Sequence, residues 1–171
     1  MTGRPQPPLT THKLLWASEL DTQLFAQALA QQAALAHAFI ELQGDLGAGK
    51  TTLVRHLLRA LGVTGRIKSP TYAVVEPYEV PWPPGGAGAM LAIWHFDFYR
   101  FSDPREWEDA GFRDIFACPG LKLAEWPQNA ASFLPTADLV VQLTAQEDDS
   151  RSVTLLAHGT TGQALLQGIA P

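Results

Sequence analysis

Gly44-Asp45-Leu46-Gly47-Ala48-Gly49-Lys50-Thr51-Thr52 carries the spacing G-x-x-x-x-G-K-T, and it organises the reading of the whole chain. Glycines at these intervals let successive backbone N–H groups turn inward around a phosphate with no Cβ in the way. A lysine at the position of Lys50 reaches β- and γ-phosphates, and a hydroxyl at the position of Thr51 serves as a Mg²⁺ ligand. The flanks agree. Ala38-Phe39-Ile40-Glu41-Leu42 reads as a short buried strand, and Leu53, Leu57 and Leu61 recur at i, i+4, i+8 on one helical face. Strand, glycine loop and helix follow in the order that aims a helix N-terminus at an anion. All nine residues from Gly44 to Thr52 are therefore candidate nucleotide contacts.

Composition points the same way. The chain has 171 residues, 46% hydrophobic and 17% charged, with a formal net charge of −5, which suits a single domain with room for a sizeable core. An acidic chain with scattered basic residues is poorly suited to holding RNA or DNA alone, because phosphate neutralisation needs grouped Lys and Arg. Cys118 is the only cysteine; this excludes an intramolecular disulfide and reads as a buried thiol in a reducing compartment. His12, His37, His56, His95 and His158 show no metal-binding spacing and read as surface or packing residues. No apolar stretch reaches the length of a membrane span, and MTGRPQPPLT lacks the apolar core of a signal peptide. Residues 1–10 read as a flexible tail and residues 11–171 as one domain.

Strand and helix patterns alternate through the rest. His12 to Ala17 reads as an edge strand. Ser18 caps a helix with Asp21 completing a capping box; the helix presents Leu20, Leu24 and Ala28 together with Phe25 and Leu29. Gly62-Val63-Thr64-Gly65 stops the helix that follows the glycine loop. Tyr72 to Val80 is β-rich, with Pro77 marking an edge or a bulge. Pro81 to Ala89 reads as a surface loop, Leu91 to Phe98 as a central strand, and Asp103 to Ala110 as a short helix. Leu121 to Trp126 is a further strand. Asp138 to Thr144 and Ser152 to Ala157 flank a polar hairpin turn. The sum is an α/β fold: three layers around a mixed, mostly parallel central sheet with a C-terminal β-hairpin.

Nucleotide chemistry needs a second metal determinant. Asp97 closes the apolar run Ala92-Ile93-Trp94-His95-Phe96-Asp97, the place of a Walker-B carboxylate. Glu125 closes Leu121-Lys122-Leu123-Ala124-Glu125 in the same manner. If both strands run parallel to the strand before the glycine loop, the two carboxylates meet at one crevice; which holds Mg²⁺ and which orients water is left open. Ser69-Pro70-Thr71 lies where a switch hydroxyl could sense a γ-phosphate, or where a simple turn closes into a strand. Arg100 reads as a salt-bridge partner ahead of a catalytic arginine.

Taken in order, GDLGAGKTT, KSPTYAVVEPY, HFDFYR and AEWP resemble the bacterial TsaE (YjeE) family over the stretch from about Leu14 to about Leu166. The SPTY and DFYR blocks carry the specificity, since glycine loops of this kind are widespread. The resemblance implies a P-loop NTPase fold and a cytoplasmic, Mg²⁺-dependent ATPase, monomeric alone. It implies docking on a TsaB–TsaD heterodimer that installs threonylcarbamoyladenosine in tRNA, with tRNA met only through that complex and ATP hydrolysis resetting it. It further implies Thr51 and Glu125 as Mg²⁺ contacts, Asp97 as the Walker-B residue and metal contact, and Ser69–Tyr72 as a switch containing Thr71. Trp126 is placed beside the site. By the same resemblance Glu19 and Arg151 are expected to flank the adenine. Lys50, Thr71, Asp97 and Glu125 are the catalytic candidates.

Two other classes share the glycine loop. A small-molecule P-loop kinase needs an acceptor pocket and an Arg-rich lid, yet after Arg113 only Arg151 remains. A GTP-dependent switch needs N-K-x-D to read guanine, and Asn129 is followed by Ala130-Ala131.

Overall fold

The computed structural model describes residues 6–169. In chain order these form β1 (Thr10–Trp16), α1 (Glu19–Ala30), β2 (Phe39–Gln43), α2 (Lys50–Leu61), β3 (Val75–Trp82), β4 (Ala89–Asp97), α3 (Pro104–Asp109), α4 (Phe112–Ala117), β5 (Leu121–Glu125), β6 (Leu139–Ala145), β7 (Arg151–Ala157) and α5 (Gly159–Gln167). Seven strands make one sheet in the order β1-β7-β6-β2-β5-β4-β3. Four consecutive strands, β6, β2, β5 and β4, run parallel; β7, β1 and β3 are antiparallel to their neighbours. The expected mixed sheet with a C-terminal hairpin is what the chain forms.

Alternation along the strands assigns the two faces. Ile40 and Leu42 of β2, Leu121 and Leu123 of β5 and Ile93 of β4 join the core beneath α1, α2 and α5. By the same parity His95, Asp97 and Glu125 point to the α2 side. The opposite face is aromatic: Phe96, Phe98, Phe101, Trp107 and Phe112 pack there with Phe39 and Ala124. Ring pairs such as Phe96–Phe112 meet edge-on at 5.4 Å, an arrangement the ring quadrupoles favour.

Several expectations shift. In α1 the buried face is Thr22, Phe25, Ala26, Leu29 and Ala30, whereas Leu20 and Leu24 are 59% and 53% exposed. Phe25 packs against Trp16 with tilted rings at 5.1 Å, and the alanines allow close approach, so the neighbouring leucine stripe turns to solvent. Pro81, Trp82 and Ala89, read as loop, lie in the β3–β4 hairpin. Pro77 and Pro81 are tolerated because β3 is an edge strand, and β4 is second from that edge rather than central. Thr10 already pairs with Ala157, so strand structure begins inside the segment read as a tail; residues 1–5 lie outside the described residues. Cys118 is exposed, not buried. Helix α5 was not expected. Its segment GTTGQALLQ has low helix propensity, and it holds because Leu165 and Leu166 are buried. Gly162 allows the close approach: a Cβ there would meet the Asp138 carbonyl oxygen at 1.9 Å. Among the described residues no helix is long and apolar enough to cross a membrane.

The start of α1 matters for the site, because this helix carries Glu19 and Thr22. The Asp21 carboxylate accepts from the N–H groups of Ala17 at 2.7 Å and Ser18 at 3.1 Å, and the expected Ser18–Asp21 capping box is formed. Asp21→Ala is expected to lower stability by about 1 kcal/mol, read as an earlier urea midpoint at unchanged slope. An unaltered midpoint would show the cap to be idle.

Candidate functional site

The glycine loop leaves β2 and enters α2 with Gly49 as the helix N-cap. Gly44, at φ +150°, is forced by space as well as by dihedral: a Cβ would meet the Leu143 carbonyl oxygen at 2.4 Å. β6 therefore presses against the loop from one side. From the β6–β7 hairpin Arg151 presses from another, its Nε donating to the Ala48 carbonyl at 3.0 Å and its Nη1 to the Asp149 carbonyl at 2.6 Å. Lys50, only 4% exposed, donates to the carbonyls of Gly44 and Asp45 and lies 4.3 Å over the Trp126 ring. Burial pulls the Lys50 ammonium below the usual lysine range, opposed by the negative charges of Glu125, Asp97 and Asp45.

The parallel pairing of β4 with β5 puts Asp97 directly opposite Glu125. The convergence that the sequence left conditional on strand direction is met. Glu125 is 2% exposed. One of its oxygens accepts from the Thr51 hydroxyl at 2.7 Å, the other from His95 Nε2 at 2.6 Å. Lys122, on the same strand, faces the other side of the sheet, against Trp94 and the Cys118 carbonyl. Asp97 Oδ1 accepts from the Tyr99 N–H at 2.9 Å. Its Oδ2 accepts from the hydroxyls of Ser69 at 3.0 Å and Thr71 at 3.1 Å. Ser69-Pro70-Thr71 is thus tied to the Walker-B position rather than being a free turn. Arg100 stacks on the exposed Tyr72 ring at 4.4 Å; it is in none of the ion pairs found among the described residues, contrary to the salt bridge expected of it.

Two clefts meet at the loop. One is lined by Leu46, Gly47, Lys50, Thr51, Ser69, Thr71, Asp97, Tyr99, Glu125 and Trp126. The other is lined by Trp16, Ser18, Glu19, Thr22, Ala48, Asp149 and Arg151. Gly49, Thr52 and Arg151 border both. Glu19, expected near a base, faces the second cleft and accepts or shares a hydrogen with His56 Nε2 at 2.8 Å. Trp16, Thr22, Tyr99 and His95 were missed from sequence. His95 had a legible signal: it stands two residues before Asp97 in a strand, hence on the same face.

Hard oxygen donors suit Mg²⁺, and Thr51, Asp97 and Glu125 supply them at one place. Among the described residues no group of three or more His, Cys, Asp or Glu side chains could hold a metal ion by itself. The donor set fits a cation shared with phosphate oxygens and water, the usual state of Mg²⁺.

A glycine loop between a parallel strand and a helix, with acidic residues at the ends of the two neighbouring parallel strands, defines a three-layer α/β fold of the P-loop NTPase class. The model of the family described as "Threonylcarbamoyl adenosine biosynthesis protein TsaE" matches residues 16–153, and the chain belongs to the TsaE family. It is 41% identical over 131 residues to the tRNA threonylcarbamoyladenosine biosynthesis protein TsaE of Haemophilus influenzae, covering 77% of each chain. It is 32% identical over 131 residues to the protein of that name from Bacillus subtilis, again covering 77% of each. The crystal structure of Bacillus subtilis YdiB superposes with a TM-score of 0.68 at 28% identity, over 92% of this chain and 93% of that one.

Proposed function

We propose that this chain is an Mg²⁺-dependent ATPase that serves tRNA threonylcarbamoyladenosine formation by resetting a TsaB–TsaD transferase between rounds. The observation that carries the reading is the buried pair Asp97–Glu125 set opposite each other at the mouth of the glycine loop, with Thr51 bonded to Glu125. Two carboxylates this buried are costly unless a cation joins them. Mg²⁺, when bound with the nucleotide, would neutralise charge on the β- and γ-oxygens. Lys50 holds the same phosphates by charge. Thr51 and Glu125 provide oxygen donors beside them. Asp97 orients water or the metal, and its bonds to Ser69 and Thr71 make those hydroxyls the natural sensors of the γ-phosphate. Arg151 braces the loop, and with Glu19 and Trp16 borders the cleft offered to the base. Work in a cytoplasmic complex, with tRNA held by the partners, agrees with the acidic net charge of −5.

The deciding experiment is ATP turnover of the purified chain, alone and mixed with TsaB and TsaD, with and without Mg²⁺. A low rate that needs Mg²⁺ and rises on mixing supports the reading. Phosphate transfer to a small metabolite would instead favour a P-loop kinase.

Base choice gives a separate check. No N-K-x-D motif is available to pair with guanine, because Asn129 precedes Ala130 and Ala131. Competition binding with Mg²⁺ is expected to favour ATP over GTP by at least about tenfold, the scale of one or two discriminating hydrogen bonds. Equal affinity would place the base elsewhere.

A further inference from the structure

We propose that His95 is a positioning residue for Glu125, fixing the carboxylate so that one oxygen stays turned toward Thr51 and the phosphate cleft. The proposal rests on the reading of Glu125 as a group that supports hydrolysis.

The geometry is specific. His95 is fully buried at 0% exposure and Glu125 at 2%, and their contact is 2.6 Å, Nε2 to Oε2. An ionised carboxylate only accepts, so the facing ring nitrogen carries the hydrogen. In the singly protonated ring this leaves the lone pair on Nδ1, and Nδ1 is buried without any hydrogen-bond partner. An unpaired buried polar atom is a cost. The neighbours of His95 on the same core-facing rows, Ile93 and Leu123, are apolar and fully buried, so an apolar side chain would fill this position with no such cost. What the imidazole alone offers is a directed N–H at Glu125.

That N–H has a definite task. Glu125 has two oxygens and two protein donors: Thr51 takes Oε1 and His95 takes Oε2. Without His95 the terminal carboxylate torsion is broad and two-fold, and a buried carboxylate oxygen is left without its donor. With it, Oε2 is occupied and Oε1 is the oxygen presented to the cleft. Side chains that hold a ligating group from behind in this way are worth about tenfold to a hundredfold in metal affinity or activity. Strand parity supplies the arrangement: β4 delivers His95 and Asp97 to one face, and the parallel register with β5 brings Glu125 beside both.

The alternative is an ordinary core histidine whose replacement affects stability alone. The test uses the intact chain with His95→Leu, His95→Asn, His95→Gln, Glu125→Gln and the double variant His95→Leu/Glu125→Gln. Urea unfolding, kcat and KM for Mg²⁺-dependent ATP hydrolysis, and Mn²⁺ affinity in the presence of ADP are measured on each. His95→Leu is expected to lower kcat or Mn²⁺ affinity about tenfold to a hundredfold, with KM for ATP little changed. His95→Gln, whose amide nitrogen reaches the Nε2 position, restores most of the loss. His95→Asn, whose amide ends near Nδ1, does not. The double variant is no slower than Glu125→Gln alone, because the two residues act as one unit.

Wild-type kcat and Mn²⁺ affinity in folded His95→Leu, beside a defective Glu125→Gln, overturn the role of His95 and leave that of Glu125 standing. A Glu125→Gln protein with wild-type hydrolysis and metal binding overturns both. Losses that simply add in the double variant overturn the coupling. Should His95→Leu fail to fold, equal activity of His95→Gln and His95→Asn overturns the proposal by itself.

Discussion

Replacing Lys50 by alanine is expected to weaken Mg²⁺·ATP binding at least about a hundredfold, on the scale of losing a charge-assisted contact to phosphate in a desolvated site. The fold should survive. Burial lowers the pKa of Lys50, so its charged form is less favourable in the folded chain than in the unfolded one. For a lysine shifted down, that penalty is fully present below the folded pKa and fades as pH rises toward the unfolded value. At neutral pH the alanine variant is relieved of it. Against that relief the variant loses the bonds to the Gly44 and Asp45 carbonyls, the contact with Trp126 and the attraction of Glu125, Asp97 and Asp45. Its thermal midpoint should therefore lie close to that of the wild type while nucleotide titration shows little binding. Unchanged ATP affinity in a folded Lys50→Ala protein would remove the glycine loop from the nucleotide site.

The second large effect separates binding from hydrolysis. Glu125→Gln keeps the volume of a fully buried side chain, whereas alanine would open a cavity and strand the Thr51 and His95 donors. The amide lacks the negative charge that a cation beside Thr51 needs. ATP should remain bound through Lys50 and the loop backbone, with hydrolysis down about a hundredfold, the usual scale for losing one electrostatic or general-base contribution. In a reconstituted system with TsaB, TsaD and tRNA, a first round of threonylcarbamoylation should proceed and later rounds stall. Single- against multiple-turnover modification reads this directly. Sustained rounds at the wild-type rate would make Glu125 a structural residue and remove hydrolysis through it from the cycle.

The two variants also bear on different links between structure and chemistry. Lys50 acts from the first turn of α2 and depends on local geometry. Glu125 depends on β5 lying between β2 and β4, so its loss tests the sheet order as much as the residue. Asp97 shares that dependence, and its bonds to Ser69 and Thr71 connect the loop after α2 to the same point.

The sequence alone determined whatever is encoded by local spacing. The glycine loop, the helix after it and its stop at Gly62, the strand ends at Asp97 and Glu125, and the β6–β7 hairpin were all legible there, because turn chemistry and hydrophobic period act over a few residues. Family resemblance could be read from the same blocks. Tertiary structure alone decided which faces are buried and which side chains meet. Leu20 and Leu24 satisfy a helical stripe, yet packing of Phe25 on Trp16 turned them outward. Helix α5 has weak propensity and holds only because Leu165 and Leu166 are buried against the rest of the fold. Arg100 turned to Tyr72, and Cys118 to solvent. His95 looked like any isolated histidine until a parallel register, set by strands some thirty residues apart, placed Nε2 at 2.6 Å from Glu125. Local spacing specifies elements. Which distant residues share a buried site follows from sheet order and burial, terms that depend on the whole chain at once.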